Sequence, residues 1–236
     1  MCPCLSFRSA TTALLVASSA LRFRKFYLHK SEAGDLCAVA TDGHRLSMTK
    51  QPLPAGANDM PSIIVPRKAV SELRKLLDDF DGDVGIALSE TRAEFSFGAV
   101  RLKTKLIDGT FPDYTRVIPL GNDRIMQIDA ASFSAAVDRV STISSEKSRS
   151  VKLRLQSGSL ILSASSTDAS SAVEEIEVSY SGPEMEIGFN ARYLLDIAAQ
   201  VGSDTIEFAL ADQGSPSLVR APGDEVTLFV LMPMRV

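Results

Sequence analysis

Tyr27-Leu28-His29, then Gly34-Asp35-Leu36, then Ala38-Val39-Ala40-Thr41-Asp42 reads as a strand, a turn at glycine and a returning strand that ends at Thr-Asp. The same order comes back about 125 residues later, as Leu153-Arg154-Leu155, Gly158-Ser159-Leu160 and Ala164-Ser165-Ser166-Thr167-Asp168. Repetition at a fixed period marks a duplicated structural unit, and the later parts of the two copies correspond as well. Ile63-Ile64-Val65-Pro66 runs into one helical pattern and Glu186-Ile187-Gly188-Phe189-Asn190 into another. The first pattern puts Val70, Leu73, Leu76, Leu77 and Phe80 on one face; the second puts Tyr193, Leu194, Ile197, Ala198 and Val201 on one face. Pro66 suits a helix start and Asn190 an N-cap. A strand follows each helix, Val84 to Leu88 and Ile206 to Leu210. A hairpin then closes each copy, ending at Val100 to Ile107 and at Glu225 to Met232.

The second copy also has an opening helix, Asp129 to Ile143, with Phe133, Ala136, Val137, Val140 and Ile143 on one face. No such pattern opens the first copy, so that copy reads as incomplete. The expected fold is α+β: repeated domains of antiparallel sheets with two helices each, the helices on one sheet face. Residues 118 to 123 hold Pro, Gly and Asn without a period and read as the link. The expected limits are a segment apart from the fold at 1–26, a first domain at 27–119 and a second at 120–236.

Composition narrows the function. The chain is 45% hydrophobic and 23% charged, which suits a folded globular protein. Its formal net charge of −4 and the lack of a long basic run argue against tight, independent nucleic-acid binding. Cys2, Cys4 and Cys37 make neither a zinc site nor a disulfide framework, so a reducing cytoplasm is the expected location. No metal or cofactor is expected. The apolar stretch Ala10 to Leu21, behind Arg8 and ending in Ala17-Ser18-Ser19-Ala20, has a signal-peptide pattern. It sustains an alternative reading, a small secreted or periplasmic binding protein. No stretch has the roughly 18 to 20 apolar residues of a membrane-spanning helix.

Three segments carry chemistry. In Thr41-Asp42-Gly43-His44-Arg45-Leu46, Asp-Gly signals a tight turn with an imidazole and a guanidinium just beyond it. No nucleophile elbow or second metal-spaced His accompanies His44, so a binding wall or a hydrogen-bonded turn fits better than catalysis. Phe111-Pro112-Asp113-Tyr114-Thr115-Arg116-Val117-Ile118-Pro119 is stiffened by two prolines and flanked by rings; it would fix a joint or line a groove. Val230-Leu231-Met232-Pro233-Met234-Arg235-Val236 is an apolar strand running into two adaptable thioethers, a rigid ring and a cation. A Met-rich end of this kind suits docking of apolar partners. The acidic run Asp78 to Asp83 lacks the bidentate Glu of a calcium loop and reads as a solvated helix exit. Arg67-Lys68, opening a helix, is the best candidate for a phosphate contact.

Taken in order, Ala40 to Leu46, Leu106-Ile107-Asp108-Gly109-Thr110-Phe111-Pro112-Asp113-Tyr114 and Met232-Pro233-Met234-Arg235 resemble the bacterial sliding clamp, the beta subunit of DNA polymerase III. Val65-Pro66-Arg67-Lys68 and Tyr180 to Asn190 fit the same pattern, and the resemblance covers residue 27 to the end. It implies a non-catalytic processivity factor of three clamp domains per subunit, paired head to tail around duplex DNA. It also implies a peptide pocket used by the polymerase catalytic subunit, the clamp loader and other partners. Carried over position by position, that pocket is Thr41, Gly43, His44, Arg45, Leu46, Pro112, Arg116, Val117, Asn190, Tyr193, Val230, Leu231, Met232, Pro233, Met234 and Arg235. Arg67 and Lys68 would face DNA. Against the family pattern this sequence is expected to be N-terminally truncated: the first domain and the opening of the middle one are missing, and Phe23-Arg24-Lys25-Phe26 replaces the family's aromatic, Leu and Asn-Gly positions. The family's homodimer is therefore in doubt for this chain.

Overall fold

The computed structural model describes residues 4–7, 25–78, 80, 82–144, 149–166 and 170–235. The chain divides into two compact units, Met1–Asp113 and Tyr114–Val236. The division falls ahead of the expected link at 118 to 123. Phe111 stays with the first unit because its ring stacks on Tyr27, with centroids 4.6 Å apart and planes 6° from parallel.

The first unit contains strands β1 (Cys4–Phe7), β2 (Lys25–Lys30), β3 (Asp35–Thr41), β4 (Arg45–Pro52) and β5 (Ile63–Pro66). Helix α1 (Arg67–Leu77) follows, then β6 (Val84–Leu88), β7 (Arg92–Phe97) and β8 (Val100–Lys105). The strands pair antiparallel in the orders β5-β2-β3-β4 and β1-β6-β7-β8. The expected domain start at residue 27 falls inside β2, and Cys4–Phe7 pairs with β6 from Cys4↔Ala87 to Phe7↔Val84. The signal-peptide stretch, Ala10 to Leu21, lies outside the described residues, as do Cys2, Arg8, Phe23, Arg24, Asp79 and Asp81.

Strands form where β-branched and aromatic residues alternate. In β7, Ala93, Phe95 and Phe97 point inward and are buried, while Glu94 and Ser96 face out. Helix α1 buries Ala69, Val70, Leu73 and Leu77. Leu76, expected on that face, is 43% exposed: the helical period carries it off the stripe centred on Leu73. Phe80 lies beyond the helix end, which comes at Leu77, and packs on the core from the following loop. Pro66 is the N-cap residue and makes no side-chain cap, so its contribution is a pre-set φ of −65°.

The second unit begins with a 3-10 turn at Thr115–Val117. It continues with β9 (Arg124–Asp129), α2 (Ala130–Ser141), β10 (Ser150–Gln156), β11 (Ser159–Ser165), β12 (Ser171–Glu177) and β13 (Met185–Asn190). It ends with α3 (Ala191–Ala198), β14 (Thr205–Leu210), β15 (Ser217–Arg220) and β16 (Thr227–Leu231). The antiparallel orders are β12-β11-β10-β13 and β16-β15-β14-β9. Helix α2 buries Phe133, Ala136, Val137 and Val140; Ile143, beyond the helix end, is half-buried. Phe133 meets Phe208 edge-on at 5.4 Å. Each such side chain, fully buried, stabilises the unit by about 1.5–3 kcal/mol.

Both helices of this unit are capped by their sequence. Asp129 Oδ1 accepts from Ser132 N at 2.7 Å, and Asn190 Oδ1 accepts from Arg192 N at 3.0 Å. These bonds, led by those from Ser132, hold the Asp129 carboxyl below its ordinary range.

The duplication read from the sequence has a structural counterpart. The β2–β3 hairpin turns at Gly34 with φ +90°, and the β10–β11 hairpin turns at Gly158 with φ +76°. Only glycine enters that region without steric cost. The Thr167-Asp168 end of the second copy lies outside the described residues.

Candidate partner-binding site

The Thr41 to Leu46 segment is the β3–β4 turn, and local hydrogen bonds define its shape. Asp42 Oδ1 accepts from His44 N at 3.0 Å and Arg45 N at 3.1 Å, while Asp42 Oδ2 accepts from Arg45 Nε at 3.1 Å. Thr41 Oγ1 donates to the Arg45 carbonyl at 2.9 Å and accepts from Gly43 N at 3.1 Å. Gly43 takes φ +90°, which the Asp-Gly pair anticipated. The turn thereby buries the Arg45 guanidinium, whose side chain is 3% exposed, against the Asp42 carboxylate. A charge that deep requires a paired acceptor. Leu46 is buried, and Gly43 and His44 stand exposed at the tip.

Pro112 lies exposed just beyond Phe111, one residue before the first unit ends at Asp113. The Phe111 ring lies on Tyr27, and Tyr27 stacks in turn on His29 at 4.6 Å. This three-ring stack, not proline alone, anchors the segment. The sequence reading treated His29 only as a residue on a separate strand. The signal was available: Tyr27 and His29 are two apart on one strand and so share a face.

In the second unit Arg116 and Val117 sit exposed on the 3-10 turn. Asn190 and Tyr193 are half-buried at the start of α3, where capping by Asn190 fixes the first turn. Val230 and Leu231 are buried in β16, Leu231 as part of the second unit's core, whereas Met232, Pro233 and Met234 are half-buried and Arg235 is exposed. The tail is held in place: Met234 N donates to the Gly188 carbonyl at 2.8 Å, forming a bridge to β13. Pro233, Met234 and Arg235 line a cleft of about 620 Å³ together with Lys152, Glu186, Ile187, Gly188, Gln213 and Gly214.

The sequence reading missed Lys152, Glu186, Gln213 and Gly214. Lys152 and Glu186 form an ion pair at 3.3 Å across β10 and β13. Asp212 shapes the loop at Gln213-Gly214, accepting from Gly214 N at 2.7 Å, Ser215 N at 2.8 Å and Ser215 Oγ at 2.8 Å. Those donors, the Gly214 amide foremost, hold its carboxyl below the usual range. Periodicity alone does not find such residues, because they are polar and surface-lying. Arg67 and Lys68 are both exposed in the first turn of α1.

Repeated units of paired antiparallel sheets and capped helices, closed by a pinned Met-Pro-Met-Arg tail, define a clamp-domain protein. The C-terminal domain of the DNA polymerase III beta subunit matches residues 115–235, and its central domain matches residues 24–113. The chain belongs to the DNA polymerase III beta subunit, or beta sliding clamp, family. It is 49% identical over 213 residues to the beta sliding clamp of Caulobacter vibrioides, covering 89% of this chain and 57% of that relative. Against the Escherichia coli K12 beta sliding clamp it is 34% identical over 211 residues, covering 89% of this chain and 57% of that one. It superposes on a Bartonella birtlesii sliding clamp bound to griselimycin with a TM-score of 0.91 at 44% identity, covering 100% of this chain and 67% of that chain. The chain thus spans a little over half the length of the curated relatives it matches.

Proposed function

We propose that this chain works as part of a DNA sliding clamp, a non-catalytic processivity factor of DNA replication in the cytoplasm. In this reading the polymerase III catalytic subunit, the clamp loader and other partners dock short apolar peptides on the residues named above. The observation that carries it is the tail: two half-buried Met side chains flank Pro233, and the backbone is pinned to Gly188. Met refits itself to different apolar partners, while the pinned backbone limits the ordering cost of binding. His44 and Gly43, exposed at a rigid turn, supply polar groups that set register. Arg67 and Lys68 are the proposed DNA-facing cations, with topological retention in a ring, not bulk charge, keeping the family's clamps on duplex DNA. The homodimer of the family is not proposed for this chain.

A peptide with an apolar anchor should bind with micromolar affinity, roughly −8 kcal/mol. Met232→Ala combined with Pro233→Ala should weaken it by about 1–3 kcal/mol. Griselimycin, bound in the Bartonella birtlesii structure, supplies a competitor for the same titration. Unchanged peptide affinity in the double variant removes the tail from the site.

A further inference from the structure

The two walls of the tail's cleft are held by different means. One wall is the tail itself, where Met234 N donates to the Gly188 carbonyl. The other is the loop between β14 and β15, which brings Gln213 and Gly214 to the cleft. The β14–β15 ladder pairs Ala209 with Leu218, and the same register would carry on to Ala211 opposite Pro216. Proline has no N–H to give to a ladder, so the hairpin opens into the loop 211–216. Other groups must then take up the backbone of the opened loop. Asp212 does so at the tip, through Gly214 N, Ser215 N and Ser215 Oγ. The base is closed by a residue far away in sequence. Asn122 Nδ2 donates to the Ala209 carbonyl at 2.8 Å and to the Pro216 carbonyl at 2.9 Å.

On the peptide-docking reading of this chain, we propose that Asn122 is a positioning residue for partner binding. Its amide sets the loop wall of the cleft and ties that wall to the segment carrying Arg116 and Val117. Only a side-chain amide suits the place. One nitrogen carries two N–H groups and meets two carbonyls, one on each side of the loop. Both partners are acceptors, which fixes the nitrogen, not the oxygen, at this position. A carboxylate there would set oxygen against oxygen. Asn122 is half-buried and Ala209 is buried, so the clamp is partly shielded from water.

Asn122 is absent from the described residues that line the cleft, so it acts through Gln213 and Gly214. A peptide lying along the tail then meets a wall already in place. Without the clamp, binding would have to order the loop as well, and that ordering is paid in affinity. Ile118 to Gly121 separate Val117 from Asn122, so the same amide also shortens the free path of the segment that presents Arg116 and Val117.

The test compares wild type with Asn122→Asp, which keeps the shape but loses both donors, and with Asn122→Ala. Fluorescence anisotropy with a short fluorescein-labelled peptide bearing a leucine anchor reads affinity. Hydrogen exchange reads the Gly214 and Ser215 amides in the free protein. Both variants should bind about five- to tenfold more weakly and exchange faster at those amides, with circular dichroism unchanged. Asp212→Ala should weaken binding too. Its effect combined with Asn122→Ala should fall short of the product of the two single effects, since both residues hold one loop. Wild-type affinity in both Asn122 variants, while Met232→Ala with Pro233→Ala still weakens binding, overturns the positioning role and leaves the peptide site standing. Unchanged exchange at Gly214 and Ser215 overturns it as well. Global loss of structure in both Asn122 variants does the same, since the amide is then a folding determinant. A wild-type chain that does not bind the peptide removes the docking reading, and the role of Asn122 with it.

Discussion

Asp42→Ala tests whether the β3–β4 turn is built by its carboxylate. That side chain accepts three N–H groups, two from backbone and one from the Arg45 guanidinium, at 3.0–3.1 Å. Each backbone bond contributes about 1 kcal/mol and the charge-assisted one about 1.5–3 kcal/mol. Truncation also leaves a guanidinium only 3% exposed without this carboxylate. Arg45 has further interactions that absorb part of the loss, so the expected cost is about 3 kcal/mol. Asp42→Asn keeps the oxygen that accepts from His44 N and Arg45 N and removes the charge facing Arg45; about 1–2 kcal/mol is expected. Gly43→Ala meets no atom within 4 Å, so its cost is the backbone strain of φ +90° alone, about 1–2 kcal/mol. The assay is urea unfolding followed by circular dichroism, since the chain contains no Trp. Hydrogen exchange at His44 and Arg45 N–H reads the turn directly. If Asp42→Ala unfolds within 0.5 kcal/mol of wild type, a margin of about the size expected for neutral surface changes, with those amides still protected, the turn is made by strand pairing and the carboxylate is incidental.

Other substitutions probe the rest of the fold. Phe133→Ala should destabilise the second unit by about 3–5 kcal/mol, because it removes a buried ring that meets Phe208 edge-on; denaturant titration measures it. Asn190→Ala should lower stability by about 1 kcal/mol through loss of the α3 cap, and should lower peptide affinity as well if α3 borders the site. Burial raises the Cys37 thiol above its ordinary range, the nearby Lys50 only partly opposing it, so native protein should alkylate slowly at mildly alkaline pH and rapidly once unfolded. The same shift has a thermodynamic sign: the stability it contributes is present below the unfolded thiol pKa and is lost as pH rises through the higher folded one. Asp129 has the opposite sign, since its folded pKa is lowered; its contribution is present above the ordinary Asp range and lost as pH falls. Replacing it with Asn should flatten the acid limb of a melting-temperature profile.

Much of this architecture was legible because backbone geometry demands particular residues at particular places. Gly34 and Gly158 mark hairpins since each takes positive φ, and Asp129 and Asn190 mark helix starts since each accepts from an amide of the first turn. Residues with period 3.6 or 2 mark buried faces for the same kind of reason. The reading fails where a residue's role depends on what lies across the sheet. Leu76 has the right spacing for a loose apolar stripe yet emerges into solvent, because α1 buries only a narrow face. Val230 and Leu231, which the family resemblance put in the pocket, are both buried in β16, with Leu231 in the second unit's core, whereas Met232, Pro233 and Met234 beyond the strand are half-buried. Lys152 and Glu186 reach the tail's cleft only because the β10–β13 register brings those strands alongside it. Local chemistry thus reveals where the chain turns and caps, while register decides which polar side chains meet.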